Sequence, residues 1–100
     1  CYPGRWPHIH FEVFSSAEMA VSGKTALLTS QFALPEAECR AVYDSQPLYA
    51  ASRETIEDVS LARDGVFRGS SSEELAAQML ALEGSAEAGY RARAVVGLVL

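Results

Sequence analysis

Cys1-Tyr2-Pro3-Gly4-Arg5-Trp6-Pro7-His8-Ile9-His10-Phe11-Glu12 opens the chain and places a phenol, a guanidinium and two imidazoles within the first ten residues. From His8 the pattern alternates, with Ile9, Phe11 and Val13 on one side and His8, His10 and Glu12 on the other. That is the period-2 signature of a half-buried strand. The two histidines therefore share a face, about 6.6 to 6.8 Å apart along the strand. Both imidazoles can lean onto one ion at about 2.0 to 2.1 Å each, given a partner from elsewhere.

Outward from this segment, Ser15 to Lys24 is small and polar with Gly23 and reads as a loop. Thr25 to Ala33 carries β-branched and aromatic residues between Gly23 and Pro35 and reads as a strand. Pro35 then starts a helix: Glu36 and Glu38 suit its positive end, and Cys39, Val42 and Tyr43 fall at i, i+3 and i+4. Gln46 to Ser52 reads as a connector, Glu54 to Leu61 as one or two helical turns, and Asp64-Gly65 as a turn. Glu73 to Glu83 has helix-forming composition, and Ser71 with Glu74 imitates a capping box, yet Leu75, Ala77, Met79 and Ala81 also alternate. Gly84 to Gly89 suits a hairpin connection into Tyr90 to Leu100, whose alternation reads as a strand.

One hundred residues with 49% apolar and 21% charged side chains make one small globular domain. No apolar run approaches the roughly 18 residues of a membrane span. A net charge of -5, with the eight basic residues scattered, speaks against nucleic-acid or anionic-membrane partners. The chain opens on Cys1 inside a dense motif with no initiator Met, which reads as a cut, so residues 1-100 are expected to be the C-terminal part of a single domain. Cys1 and Cys39 are too few for a disulfide-dense scaffold, although they could pair with each other in an oxidising compartment.

Chemically, a phenol titrates near pH 10 in water, so only a strongly Lewis-acidic ion holds a tyrosine as phenolate at neutral pH. Imidazole nitrogens with a phenolate oxygen match structural zinc poorly and a hard trivalent ion well. Arg5 cannot be a ligand, but its planar fork of donors can stabilise an anionic substrate. Each residue also has a plainer reading. Tyr2 packs, Arg5 is a surface charge, Trp6 is a core or pocket-wall aromatic, and His8 and His10 are solvated or hydrogen-bonded.

Taken together, Tyr2-Pro3-Gly4-Arg5-Trp6-Pro7-His8-Ile9-His10 resembles the Tyr-x-Gly-Arg-x-x-His-Ile-His pattern of the intradiol ring-cleavage dioxygenases, in particular their secreted, dioxygenase-like branch. Thr29-Ser30-Gln31 to Leu34-Pro35-Glu36 with Cys39, Val66-Phe67 and Gly89-Tyr90 look like that branch too, more loosely. The resemblance implies a mainly β fold, a β-sandwich-like core with short helices in its connections, incomplete at the N-terminus. It implies a non-haem Fe(III) cofactor held by two tyrosines and two histidines, cleaving a small aromatic diol between its hydroxylated carbons with O2. Residue by residue, His8 and His10 take the histidine positions, Tyr2 that of the displaceable tyrosine, and Arg5 that of the arginine steadying the bound catecholate. The family's other tyrosine ligand precedes the motif, and Tyr43, Tyr49 and Tyr90 match no ligand position, so the chain supplies three of four ligands and is expected by itself to bind iron weakly or not at all and to have little activity.

The same resemblance implies a Cys1-Cys39 disulfide, secretion or residence in the cell envelope, and a strand rather than a helix at Glu73 to Glu83. Two other functions compete with the dioxygenase: a secreted β-sandwich module that binds an aromatic ligand or a surface without catalysis, and a zinc or copper site on His8, His10 and Glu12. Glu12 is otherwise a solvated or arginine-paired carboxylate.

Overall fold

The computed structural model describes residues 1–23 and 25–99. The opening alternation forms β1, His8–Val13, as the spacing predicts, and β2, Leu28–Ala33, pairs with it antiparallel in the register His8 to Ala33 through Val13 to Leu28. Phe11 and Phe32 stack across this pair with centroids 4.8 Å apart. Between the strands lies a short helix α1, Ala17–Val21, where the sequence predicts only a loop. Ser16 caps it, its hydroxyl accepting from the Met19 amide at 3.2 Å, which satisfies one of the otherwise orphaned N–H groups of a helix start. Lys24, at the end of the predicted loop, lies outside the described residues.

Pro35 ends β2 and opens α2, Glu36–Ser45, with Glu36 and Glu38 in its first turn and Cys39 and Tyr43, four residues apart, on its buried stripe. A 3-10 turn at Pro47–Tyr49 leads into α3, Ala50–Thr55, and a second follows at Ile56–Asp58. The helix thus begins before the predicted Glu54 start. After a run of turns comes α4, Ser72–Gln78, then β3, Glu83–Ser85, and β4, Gly89–Arg91, an antiparallel hairpin whose short strands take in Gly84, Ser85 and Gly89 of the expected connection.

The core is a cluster of Trp6, Ala33, Cys39, Tyr43, Ile56 and Phe67. It draws on the loop before β1, the end of β2, the inner stripe of α2, the turn after α3, and the irregular stretch around Asp64. At roughly 1.5 to 3 kcal/mol for each large apolar side chain buried, this cluster is the main source of stability. It lies beside the His8 end of β1, because Ala33 is the register partner of His8.

Three expectations fail. The mainly β, sandwich-like fold is not what forms: the protein is 35% helix and 19% strand, with two two-stranded sheets and no sandwich among the described residues. At 73–83 the local signals prevail over the expected strand. The complete capping box, with Ser71 accepting from the Glu74 amide and Glu74 accepting from the Ser71 amide, starts a helix that stops at Met79. What remains of strand character there is one parallel bridge from Met79 to Ala33 and the Leu80 amide donating to the Ala33 carbonyl at 3.0 Å. At the C-terminus only Gly89–Arg91 pairs, and Ala92 to Val99 is exposed with no strand; Leu100 lies outside the described residues. Alternating side chains favour a strand only where a neighbouring backbone supplies hydrogen bonds, and among the described residues none pairs with Ala92 to Val99.

Candidate functional site

The segment before β1 has no regular structure, yet it is anchored at three points. The Trp6 indole N–H donates to the Leu34 carbonyl at 2.8 Å, the Trp6 amide donates to Asp64 Oδ2 at 2.7 Å, and the Leu34 amide donates to the Pro7 carbonyl at 2.9 Å. Gly4 sits at φ 86°, a left-handed conformation that glycine adopts without strain and that turns the loop between Tyr2 and Arg5.

His8 stands at the start of β1 with its Nδ1 2.7 Å from the Trp6 carbonyl. Only a protonated Nδ1 makes that contact favourable, so the neutral ring carries its lone pair on Nε2. Nε2 faces the Tyr2 hydroxyl at 3.4 Å, and the two rings meet edge to face at 5.8 Å. Tyr2 is 56% exposed, which leaves its ring room to turn. Arg5 donates from Nε to Asp64 Oδ2 at 2.9 Å and from Nη2 to Gln31 Oε1 at 2.5 Å. Gln31 is the register partner of His10 and so lies on the histidine face, which brings the guanidinium to that side of the sheet. A cavity of about 190 Å³ is lined by Tyr2, Arg5, Trp6 and His8 together with Cys1, Pro7, Leu34 and Tyr43.

The structure thus brings Tyr2, Arg5 and His8 together. His10 shares their strand face but is half exposed and outside the cavity, its Nε2 3.7 Å from Glu12 Oε1. Among the described residues no three His, Cys, Asp or Glu side chains gather as a metal cluster. Tyr43 reaches the cavity wall, but burial and the neighbouring Cys39 push its hydroxyl up to about 12, so it is no ready phenolate donor. Cys1 and Cys39 are both free thiols lining an adjoining apolar pocket of about 260 Å³, so the implied disulfide is not formed here. Burial raises the Cys39 thiol above its ordinary value, which keeps it protonated and unreactive.

For a ferric ion the donor set fits at two points. An imidazole that binds a metal commonly donates its other N–H to a carbonyl, which fixes the ring and aims the free nitrogen. His8 has that arrangement, with the phenol oxygen of Tyr2 facing the free nitrogen.

Asp64 is the residue the sequence reading missed. It is 1% exposed, and its two oxygens accept from Arg5, from the Trp6 amide, and from the Val66 and Phe67 amides at 2.8 and 3.1 Å. Burial alone would raise its carboxyl, but the bonds from Arg5 and the three amides outweigh burial and hold it at about 2. Asp64-Gly65 reads as a turn, which it is; its bonds to the amides two and three residues on are turn chemistry, whereas its partners Arg5 and Trp6 lie 59 and 58 residues away. No helix of the described residues is long and apolar enough to cross a membrane. No family model matches the chain, and neither the curated proteins nor the solved structures contain a match to it.

Proposed function

We propose that the Tyr2 to His10 segment is a non-haem ferric site that takes up a catechol-type aromatic diol, for cleavage of the ring between its hydroxylated carbons with O2. The observation that carries this reading is the His8 ring, locked through Nδ1 to the Trp6 carbonyl with Nε2 aimed at the Tyr2 hydroxyl. Tyr2 and His8 would hold the ion, with His10 the further nitrogen on the same strand face. When bound, ferric ion supplies Lewis acidity that favours the deprotonated diol and its reaction with oxygen.

The chain's own groups do the rest. Arg5 presents a fixed positive fork on the cavity wall and attracts the diolate. The exposed Tyr2 ring is free to turn aside, and its oxygen, a phenolate if it holds the ion, would take up a proton from the incoming diol and leave as the neutral phenol. Trp6 and Leu34 give the cavity an apolar wall suited to an aromatic ring.

The test is a titration of the chain with Fe(III) under visible absorption. The expected result is a tyrosinate-to-iron band, loosely formed, abolished by Tyr2→Phe, weakened by His8→Ala, and shifted by added 4-nitrocatechol. Absence of the band, or a zinc or copper affinity above that for iron and indifferent to Tyr2→Phe, overturns the reading.

A further inference from the structure

We propose that Asp64 is the positioning residue of this site, holding the Arg5 guanidinium in one orientation so that its uncommitted N–H groups face an anionic diolate; the inference rests on the diol-binding reading above. Arg5 has five N–H donors. Nε–H is committed to Asp64 and one Nη2–H to Gln31, which leaves three donors uncommitted on a residue that lines the cavity. A guanidinium held at Nε by a buried carboxylate and at Nη2 by Gln31 is restrained from turning about its side-chain bonds, so it meets a ligand already oriented and loses less rotamer freedom on binding.

Capping the loop amides does not require a charge. A neutral side-chain oxygen would serve the Val66 and Phe67 amides equally well. The negative charge shared by the two carboxylate oxygens has, among the described residues, its ion-pair counterpart in Arg5, whose side chain is still 21% exposed and would otherwise sample open solvent. The same oxygen also accepts the Trp6 amide, so the guanidinium and the backbone that leads to His8 are referred to one fixed atom. Asp64 touches neither the ion nor the diol and acts through Arg5.

The experiment is a double-mutant cycle on the ferric-loaded full chain, with 4-nitrocatechol affinity read from its visible spectrum, and with NMR of the Arg5 Nε–H in the metal-free protein. Asp64→Asn is expected to weaken 4-nitrocatechol binding by about tenfold, the scale of one charge-assisted contact. On an Arg5→Ala background the same change is expected to alter it less than about twofold, since a residue acting through Arg5 has nothing left to position. The Arg5 Nε–H is expected to exchange slowly in the native protein and fast in Asp64→Asn. If Asp64→Asn does not fold, Arg5→Lys replaces it: charge is kept beside Asp64 while the oriented fork is lost, and a similar weakening is expected. Unchanged affinity in Asp64→Asn or in Arg5→Lys, with iron still bound, overturns the positioning role and leaves the ferric reading intact. Equal losses with and without Arg5 mark a purely structural role and overturn it too. Failure of the native chain to bind iron or 4-nitrocatechol overturns both.

Discussion

Acid is the sharpest probe of the Asp64 anchor. Its carboxyl is held at about 2 in the folded chain against an ordinary value of 3.8. A depressed carboxylate contributes stability that is fully present above its unfolded value and is lost as pH falls through its folded value. The window therefore runs from about pH 5 down to about pH 2. A shift of this size corresponds to about 2 kcal/mol at 1.36 kcal/mol per unit. The native chain and Asp64→Asn would be unfolded in urea at pH 6, 4, 3 and 2, with fluorescence of the single tryptophan, Trp6, as the signal. At pH 6 the substitution is expected to destabilise by about 3 kcal/mol, because it leaves Arg5 without its carboxylate and sets a donor against the Trp6 amide. Other carboxylates titrate in both proteins and cancel in the difference. The gap should shrink by about 2 kcal/mol on going to pH 2. A gap that stays constant over that range would show that Asp64 carries no linked proton and that its hydrogen bonds are no stronger than those of a neutral side chain.

Two further substitutions separate core from periphery. Phe67 is fully buried in the central cluster, so Phe67→Ala should lower the unfolding free energy by about 3 to 5 kcal/mol in urea, and a loss under about 1 kcal/mol would show that the cluster is not the core. Gly84 lies at φ 129°, and a Cβ there would fall 2.1 Å from the Gly89 carbonyl oxygen, so Gly84→Ala should abolish the NOEs between Glu83 and Arg91. Because β3 is exposed, the global midpoint should move by less than about 1 kcal/mol, and retention of the NOEs would contradict the hairpin geometry.

Which parts of this fold could be read from the residues depended on how local their causes are. β1 was legible because Ile9, Phe11 and Val13 alternate, although Ile9 ends up half exposed, since a two-stranded sheet buries little of either face. The helix after Pro35 was legible from its acidic first turn and the Cys39, Val42 and Tyr43 spacing. At Ser71 to Gln78 the residues pointed to a helix and family resemblance to a strand; the capping box is local and self-sufficient, whereas a strand needs a paired neighbour, and among the described residues only the single Met79 to Ala33 bridge forms beyond the helix. The same lack undid the strand expected from Ala92 onward. In the candidate site, the His8 and His10 face was visible from period 2, and Tyr2 and Arg5 from their company. Asp64 was not, because its chief partners are nearly sixty residues away and no spacing rule reaches that far.

Trp6 shows why core and candidate site behave as one unit. Its ring is buried in the central cluster, and all three of its polar groups are engaged: the indole N–H to the Leu34 carbonyl, the amide to Asp64, and the carbonyl to His8 Nδ1. The last of these bonds decides which imidazole nitrogen is free to bind a ligand. The first two fix the peptide that makes the choice. A site carried on an irregular loop would ordinarily be soft, because loops open locally at little cost in free energy. Here displacing the loop requires withdrawing an indole from the core and pulling two donors, the Arg5 guanidinium and the Trp6 amide, off the buried Asp64 carboxylate. The free nitrogen of His8 is therefore held in place by core packing.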